Sequence, residues 1–165
     1  MAIDTITTLS TLVGNALKGR GLAIAVAESC TGGGIAEAVT RISGSSAWFE
    51  RGFVTYSNAA KTEMLGVRES TLNEYGAVSE ETAGEMARGA LTRGRAGVAL
   101  AVTGVAGPTG GTIDKPVGTV CFAWVRGDGT LASERRHFDG DRESVRRQSV
   151  IYALQGVLRL FDDAL

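Results

Sequence analysis

The sequence predicts an α/β fold: a mixed, mostly parallel sheet of about five strands, helices on both faces, and an antiparallel hairpin at the C-terminal side. Three observations carry this. Short apolar runs of strand length alternate with segments whose apolar residues recur at helical spacing, the pattern of βαβ units. Two of those runs end in glycine-rich turns, Glu28–Gly34 and Thr103–Gly111. Gly127-Asp128-Gly129 joins two further runs and is a hairpin signal.

Taken in order, Ile3–Lys18 carries Ile6, Leu9, Leu12, Val13, Ala16 and Leu17, an amphipathic helix stopped by Gly19-Arg20-Gly21. Leu22–Ala27 is short, apolar and alanine-rich, as in a buried parallel strand. A helix over Gly33–Arg41 and a loop over Ile42–Ser46 follow. Trp48 and Phe49 read as core or interface anchors. The second strand is Phe53–Tyr56. Ser57 or Asn58 caps a helix over Ala59–Leu65. That helix has Lys61 in its first turn, where acidic residues are the usual choice. Such local conflicts are expected at functional sites.

Val67–Tyr75 reads as a turn and a short helix. Ser79, followed by Glu80 and Glu81, caps a long helix through Arg93. Gly97–Val102 is a third, fully apolar strand. Val117–Val125 and Thr130–Phe138 form the hairpin. Asp139 or Asp141 starts a final helix that runs to about Phe161. No internal repeat or domain boundary appears, and a chain of 165 residues is expected to form one domain over 1–165.

Composition narrows the function. With 44% hydrophobic and 21% charged residues the chain is expected to be soluble and globular. A formal net charge of −1 gives no field that would recruit nucleic acid or an anionic membrane. No signal peptide or membrane span is evident, and a cytoplasmic location is expected. Two cysteines, Cys30 and Cys121, make no disulfide framework, and a single histidine, His137, speaks against a histidine-rich metal site.

In open α/β sheets ligands bind outside the carboxyl ends of the strands. Ser29, Tyr56 with Lys61, and Thr103 with its glycine loop each follow a predicted strand, so all four residues are expected along one sheet edge. Taken alone, Glu28–Gly34 is equally the joint of an ordinary α/β unit. The lone His137 sits in the hairpin, and the G-x-S-x-G elbow is absent, so a Ser-His-Asp triad is not indicated. That leaves serine with a lysine base, or else Lys61 is a solvated surface residue and Tyr56 a half-buried strand aromatic. A lysine serves as a base when burial or a positive neighbour disfavours its charged form. Lys61 would take the Ser29 proton as the hydroxyl attacks a carbonyl, and Tyr56 would relay a proton or orient the lysine. Backbone N–H groups of Cys30, Thr31, Gly32 and Gly33 are candidate oxyanion donors. The loop carrying Gly104, Gly107 and Gly110 can wrap a phosphate or ribose through backbone donors. Arg142 and Arg146, four apart on the final helix, suit a phosphate, or else form a solvated face balanced by Asp139, Asp141 and Glu143.

Several segments together resemble the C-terminal domain of the competence-damage protein CinA. They are Glu28–Gly33, Gly44–Ser46, Trp48–Asn58 with Lys61, Tyr75–Ser79, Gly104–Gly111, Lys115–Thr119 and Gly140–Arg142. The resemblance covers nearly the whole chain. It implies a three-layer α/β/α sandwich. It also implies deamidation of nicotinamide mononucleotide to nicotinate mononucleotide and ammonia, in pyridine-nucleotide salvage, without metal or cofactor. The nucleophile would fall on Ser29 and the lysine on Lys61. Other functional positions would fall on Ser46, Tyr56, Thr103 and either Arg142 or Arg146. The expected partner is a small nucleotide substrate, with no nucleic acid or membrane, and a homodimer is expected. Two other readings stay open at this point: a non-catalytic nucleotide-binding module linked to competence, and an amidase for another small amide.

Overall fold

The computed structural model describes residues 4–162. The elements are α1 (Thr5–Gly19), β1 (Ile24–Glu28), α2 (Gly34–Thr40), a 3₁₀ turn (Ser45–Ala47), β2 (Phe49–Val54), α3 (Asn58–Leu65), α4 (Glu69–Tyr75), α5 (Glu80–Arg93), β3 (Val98–Gly104), β4 (Thr119–Arg126), β5 (Leu131–His137) and α6 (Arg142–Leu160). The predicted start of the first helix at Ile3 lies outside the described residues. The sheet order is β2-β1-β3-β4-β5. β1 pairs in parallel with β2 and β3, whereas β4 is antiparallel to both β3 and β5. Only β4 is reversed, so the carboxyl ends of β1, β2 and β3 share one edge.

Alternation along the strands makes two cores of different texture. Ile24, Val26, Val98, Leu100, Val102, Phe122 and Trp124 face α1, α2 and α6. Ala25, Ala27, Ala99, Ala101 and Ala123 face α5, which answers with Ala83, Met86, Ala87 and Ala90. Small residues on both sides let α5 lie close to the sheet. On the other face the gap is filled by aromatics. Trp124 stacks on Phe122 at 5.7 Å, and its Nε1–H donates to Ala153 O at 2.9 Å. α1 buries Ile6, Val13 and Leu17 of the predicted stripe, together with Ser10, whereas Leu12 is exposed because it lies off the face turned to the core.

Two boundaries differ from the sequence reading in ways that matter for the site. β2 begins at Phe49, not Phe53, and ends at Val54, so Tyr56 lies beyond the strand rather than in it. Glu50, Arg51 and Gly52 show no strand pattern. They are recruited because pairing with Ala25 and Val26 completes the β1 ladder, and as an edge strand β2 tolerates charge. Thr103 and Gly104 are the last residues of β3, not part of the following loop. Trp48, 3% exposed, is a core anchor, and it occupies the space a Cβ at Gly14 would need. Of the two candidate caps at each helix, Asp141 starts α6, with its carboxylate accepting from Ser144 N, and Ser57 caps α3 by accepting from Ala60 N.

Gly89 fixes α3 against α5. A Cβ there would lie 2.0 Å from Leu65 O, a backbone atom that cannot step aside. Gly→Ala inside a helix ordinarily stabilises by up to about 1 kcal/mol. Here Gly89→Ala is expected to destabilise by about 1–3 kcal/mol, because α3 must move. A lowered midpoint in urea denaturation checks the sign.

Candidate active site

Ser29 directly follows β1. Its N–H donates to Val102 O at 3.0 Å, and its carbonyl accepts from Gly32 N at 3.0 Å, so the residue is held between β3 and its own turn. The turn needs left-handed backbone at Gly32 (φ +58°) and Gly33 (φ +102°), which is why glycines stand there. Ser29 is nearly buried, at 7% exposed.

Lys61 lies in the first turn of α3. Helical side chains lean toward the helix N-terminus, and here the stem carries Nζ back over the residues that precede the helix. Nζ lies 3.1 Å from Ser29 Oγ, 3.0 Å from Thr55 O and 3.3 Å from Tyr56 O. The side chain is 1% exposed and makes no ion pair with a carboxylate among the described residues. Desolvation holds the Lys61 pKa below the ordinary lysine value. Two backbone carbonyls can take the two N–H bonds of a neutral amine. That leaves its lone pair for the proton of Ser29 Oγ. The same three contacts serve the ammonium with all three of its donors used.

The pair opens into a cavity of about 300 Å³ at the carboxyl edge of the sheet. Of the predicted site residues, Ser29, Lys61, Tyr56, Thr103, Gly104, Gly107, Gly110 and Arg142 border it. Two larger hollows, about 370 Å³ beside α3 and α4 and about 420 Å³ beside α5 and β5, contain no lysine. The Thr103 hydroxyl donates to Ala77 O at 2.8 Å and so fixes the 76–78 connector as a cavity wall. Arg142 donates to Gly107 O and to the Tyr56 hydroxyl, both at 2.8 Å. It ties the start of α6 to the glycine loop and to the entry of α3. The Tyr56 phenol therefore meets Arg142, and it is the Tyr56 carbonyl that orients the lysine.

The glycine loop has a packing reason as well. A Cβ at Gly107 would lie 2.4 Å from Val117 Cγ1, and one at Gly104 would lie 2.9 Å from Thr119 O. These glycines let the loop fold onto residues 117–119, in addition to any approach of a ligand.

The remaining predicted positions lie elsewhere. Ser46 sits in the 3₁₀ turn before β2, at the amino edge of the sheet and opposite Ser29, because the loop that carries it feeds β2 from that end. Arg146 is one turn further along α6 than Arg142. Its guanidinium donates to Thr31 O at 3.2 Å, behind the Ser29 turn. Thr31 is 1% exposed and gives its hydroxyl to Glu28. Gly32 and Gly33 shape the turn without bordering the cavity, and the Gly32 N–H is already taken by Ser29 O. Of the expected oxyanion donors, Cys30 is the one at the cavity. His137 bonds through Nε2 to Val117 O at 2.9 Å, away from Ser29. Sequence reasoning missed Asn58, Ala77 and Val78 as cavity residues and the carbonyls of Thr55 and Tyr56 as lysine holders. Only the conflict of a lysine at the start of α3 pointed toward the last two.

The fold and this pair define an α/β protein with a serine–lysine site at the carboxyl edge of its sheet. The chain belongs to the CinA C-terminal domain family, whose model matches residues 6–161. It is 59% identical over 159 residues to nicotinamide-nucleotide amidohydrolase PncC of Pseudomonas putida, covering 96% of this chain and 98% of that one. Its identity to the protein of the same name from Escherichia coli K12 is 56% over 153 residues, 93% of each chain. Among solved structures it is similar to the competence/damage-inducible protein CihA from Agrobacterium tumefaciens. That likeness has a TM-score of 0.93 and 46% identity, and covers 97% of this chain and 99% of the other.

Proposed function

We propose that this protein hydrolyses the carboxamide of nicotinamide mononucleotide, giving nicotinate mononucleotide and ammonia, with Ser29 as nucleophile and Lys61 as base. The reading rests above all on the buried Lys61 Nζ, 3.1 Å from Ser29 Oγ and without a carboxylate partner among the described residues. The names of its amidohydrolase relatives support the substrate. Lys61 takes the Ser29 hydroxyl proton as Oγ bonds to the carboxamide carbon. The same proton passes to the amide nitrogen, the C–N bond breaks and ammonia leaves. Water then gives a proton to Lys61 and adds to the acyl carbon, and Ser29 regains its proton as the nicotinate product departs. Cys30 lines the cavity beside Ser29, and its N–H is the donor assigned to the developing oxyanion.

Arg142 and the glycine loop hold the ribose phosphate. Losing a charge-assisted hydrogen bond removes about 1.5–3 kcal/mol, so Arg142→Ala is expected to raise KM about tenfold or more with kcat little changed. Arg146→Ala is expected to leave KM unaltered. Steady-state kinetics on the two variants separates them.

The test of the function itself is ammonia release from nicotinamide mononucleotide by the purified protein, against Ser29→Ala. Turnover of a different small amide alone would overturn the substrate and keep the pair. Nucleotide binding without any turnover would favour a binding module.

A further inference from the structure

Glu28 is the last residue of β1 and is fully buried. Its carboxylate forms no ion pair among the described residues. It accepts instead from the Thr31 hydroxyl at 2.6 Å, Ile35 N at 2.8 Å and Ala36 N at 3.0 Å. A buried carboxyl group held only by neutral donors is an expensive way to fill a strand end, where an apolar side chain would pack without that desolvation cost. What the carboxylate adds is placement. It joins the strand end to the first turn of α2 across the five residues that carry Ser29.

Thr31 is pinned on both sides. Its hydroxyl goes to Glu28, and its carbonyl goes to Arg146 of α6 at 3.2 Å. The Gly32 N–H closes the turn onto Ser29 O. With left-handed glycines at 32 and 33 the turn has little stiffness of its own, and these outside contacts supply it.

We propose that Glu28 is a positioning residue, which acts through Thr31 and the start of α2, with Arg146 behind, to keep Ser29 Oγ in register with Lys61 Nζ. The proposal rests on the Ser29–Lys61 chemistry above. Glu28 is not among the residues that line the cavity, and the role requires no contact with substrate.

The test is Glu28→Gln. Glutamine keeps the shape, but it sets an N–H₂ donor against one of the N–H groups that the carboxylate now accepts. A misplacement of about 1 Å at a reacting group can lower a rate about a hundredfold. The expected result is a fall in kcat of about tenfold or more, KM for nicotinamide mononucleotide unchanged within error, and a crystal structure in which Ser29 Oγ and Lys61 Nζ have separated beyond hydrogen-bond reach. Thr31→Val, which removes one donor and keeps the carboxylate, is expected to give a smaller loss of the same kind, and it carries the test should Glu28→Gln not fold. An unchanged Oγ–Nζ separation with lowered thermal stability alone would overturn the proposal, since a purely structural role predicts that outcome. A separated pair with undiminished kcat would instead overturn the serine–lysine reading. If the wild type does not turn over the nucleotide, the Oγ–Nζ separation in the variant crystals still decides the matter.

Discussion

Ammonia release from nicotinamide mononucleotide is expected to fall by about a thousandfold or more in Ser29→Ala, equivalent to about 4 kcal/mol of transition-state stabilisation. Lys61→Ala is expected to lose a similar amount. Among the described residues Lys61 Nζ is the basic group hydrogen-bonded to Ser29 Oγ, so without the amine the hydroxyl loses its base, and without Oγ the amine has nothing to activate. Independent residues would lose a factor of about a million together, whereas residues that act as a unit lose little more in the double variant than in either single one. The expected double-variant loss is therefore close to that of each single variant. Ser29→Ala removes little packing, whereas Lys61→Ala empties the space of a fully buried stem and is expected to cost stability. The serine loses one oxygen at the rim of the cavity, and the lysine stem vacates space beside it. Far-ultraviolet circular dichroism and urea midpoints serve as the check that the fold survives. Strictly additive losses would show that the proton goes elsewhere, and a Lys61→Ala enzyme with near-full activity would show the same.

Why Ser29 and Lys61 were legible in the sequence, and other parts were not, has a physical explanation. The order of strands and helices, the hairpin and the helix caps at Ser57 and Ser79 are written in local patterns, and the structure has them. Once three parallel strands are placed side by side, the residues after them share an edge by topology alone. Ser29, Tyr56, Lys61 and Thr103 came together for that reason. Backbone acceptors leave no mark of their own on the residue string, so the carbonyls of Thr55 and Tyr56 that hold the lysine were signalled only indirectly, by a lysine placed at the start of α3. The start of β2 was missed because its Glu50-Arg51-Gly52 segment is set by the neighbouring strand and not by its own pattern. The choice between Arg142 and Arg146 turns on the rise along α6 and not on its rotation. Four residues put both on one side of α6, but one helical turn of rise separates a guanidinium at the Tyr56 hydroxyl from one at Thr31 O.

The rate should rise with pH as Lys61 loses its proton, because only the neutral amine can accept one from Ser29. An unperturbed lysine titrates near about 10.4. Burial of Nζ away from water lowers that value, and the positive end of α3 acts in the same direction. A negative Cys30 would oppose the shift, but burial pushes that thiol up to about 12 and keeps it neutral at physiological pH. The expected profile of kcat/KM therefore has an ascending limb at a pH below that of an ordinary lysine. The same shift makes a prediction about stability, with its sign fixed by linkage. Between the lowered pKa of Lys61 in the folded protein and its ordinary value in the unfolded chain, the unfolded state binds more protons. Stability from this residue therefore increases as pH rises through that window, and falls as the pH drops to the folded-state pKa. Lys61→Met keeps most of the stem and removes the titration. The difference in unfolding free energy between wild type and Lys61→Met, from urea denaturation at a series of pH values, is expected to move in favour of the wild type as pH increases. A difference that is flat across the series, or that moves the other way, would mean that Lys61 keeps its proton through the working range, and the base for Ser29 would then have to be another group.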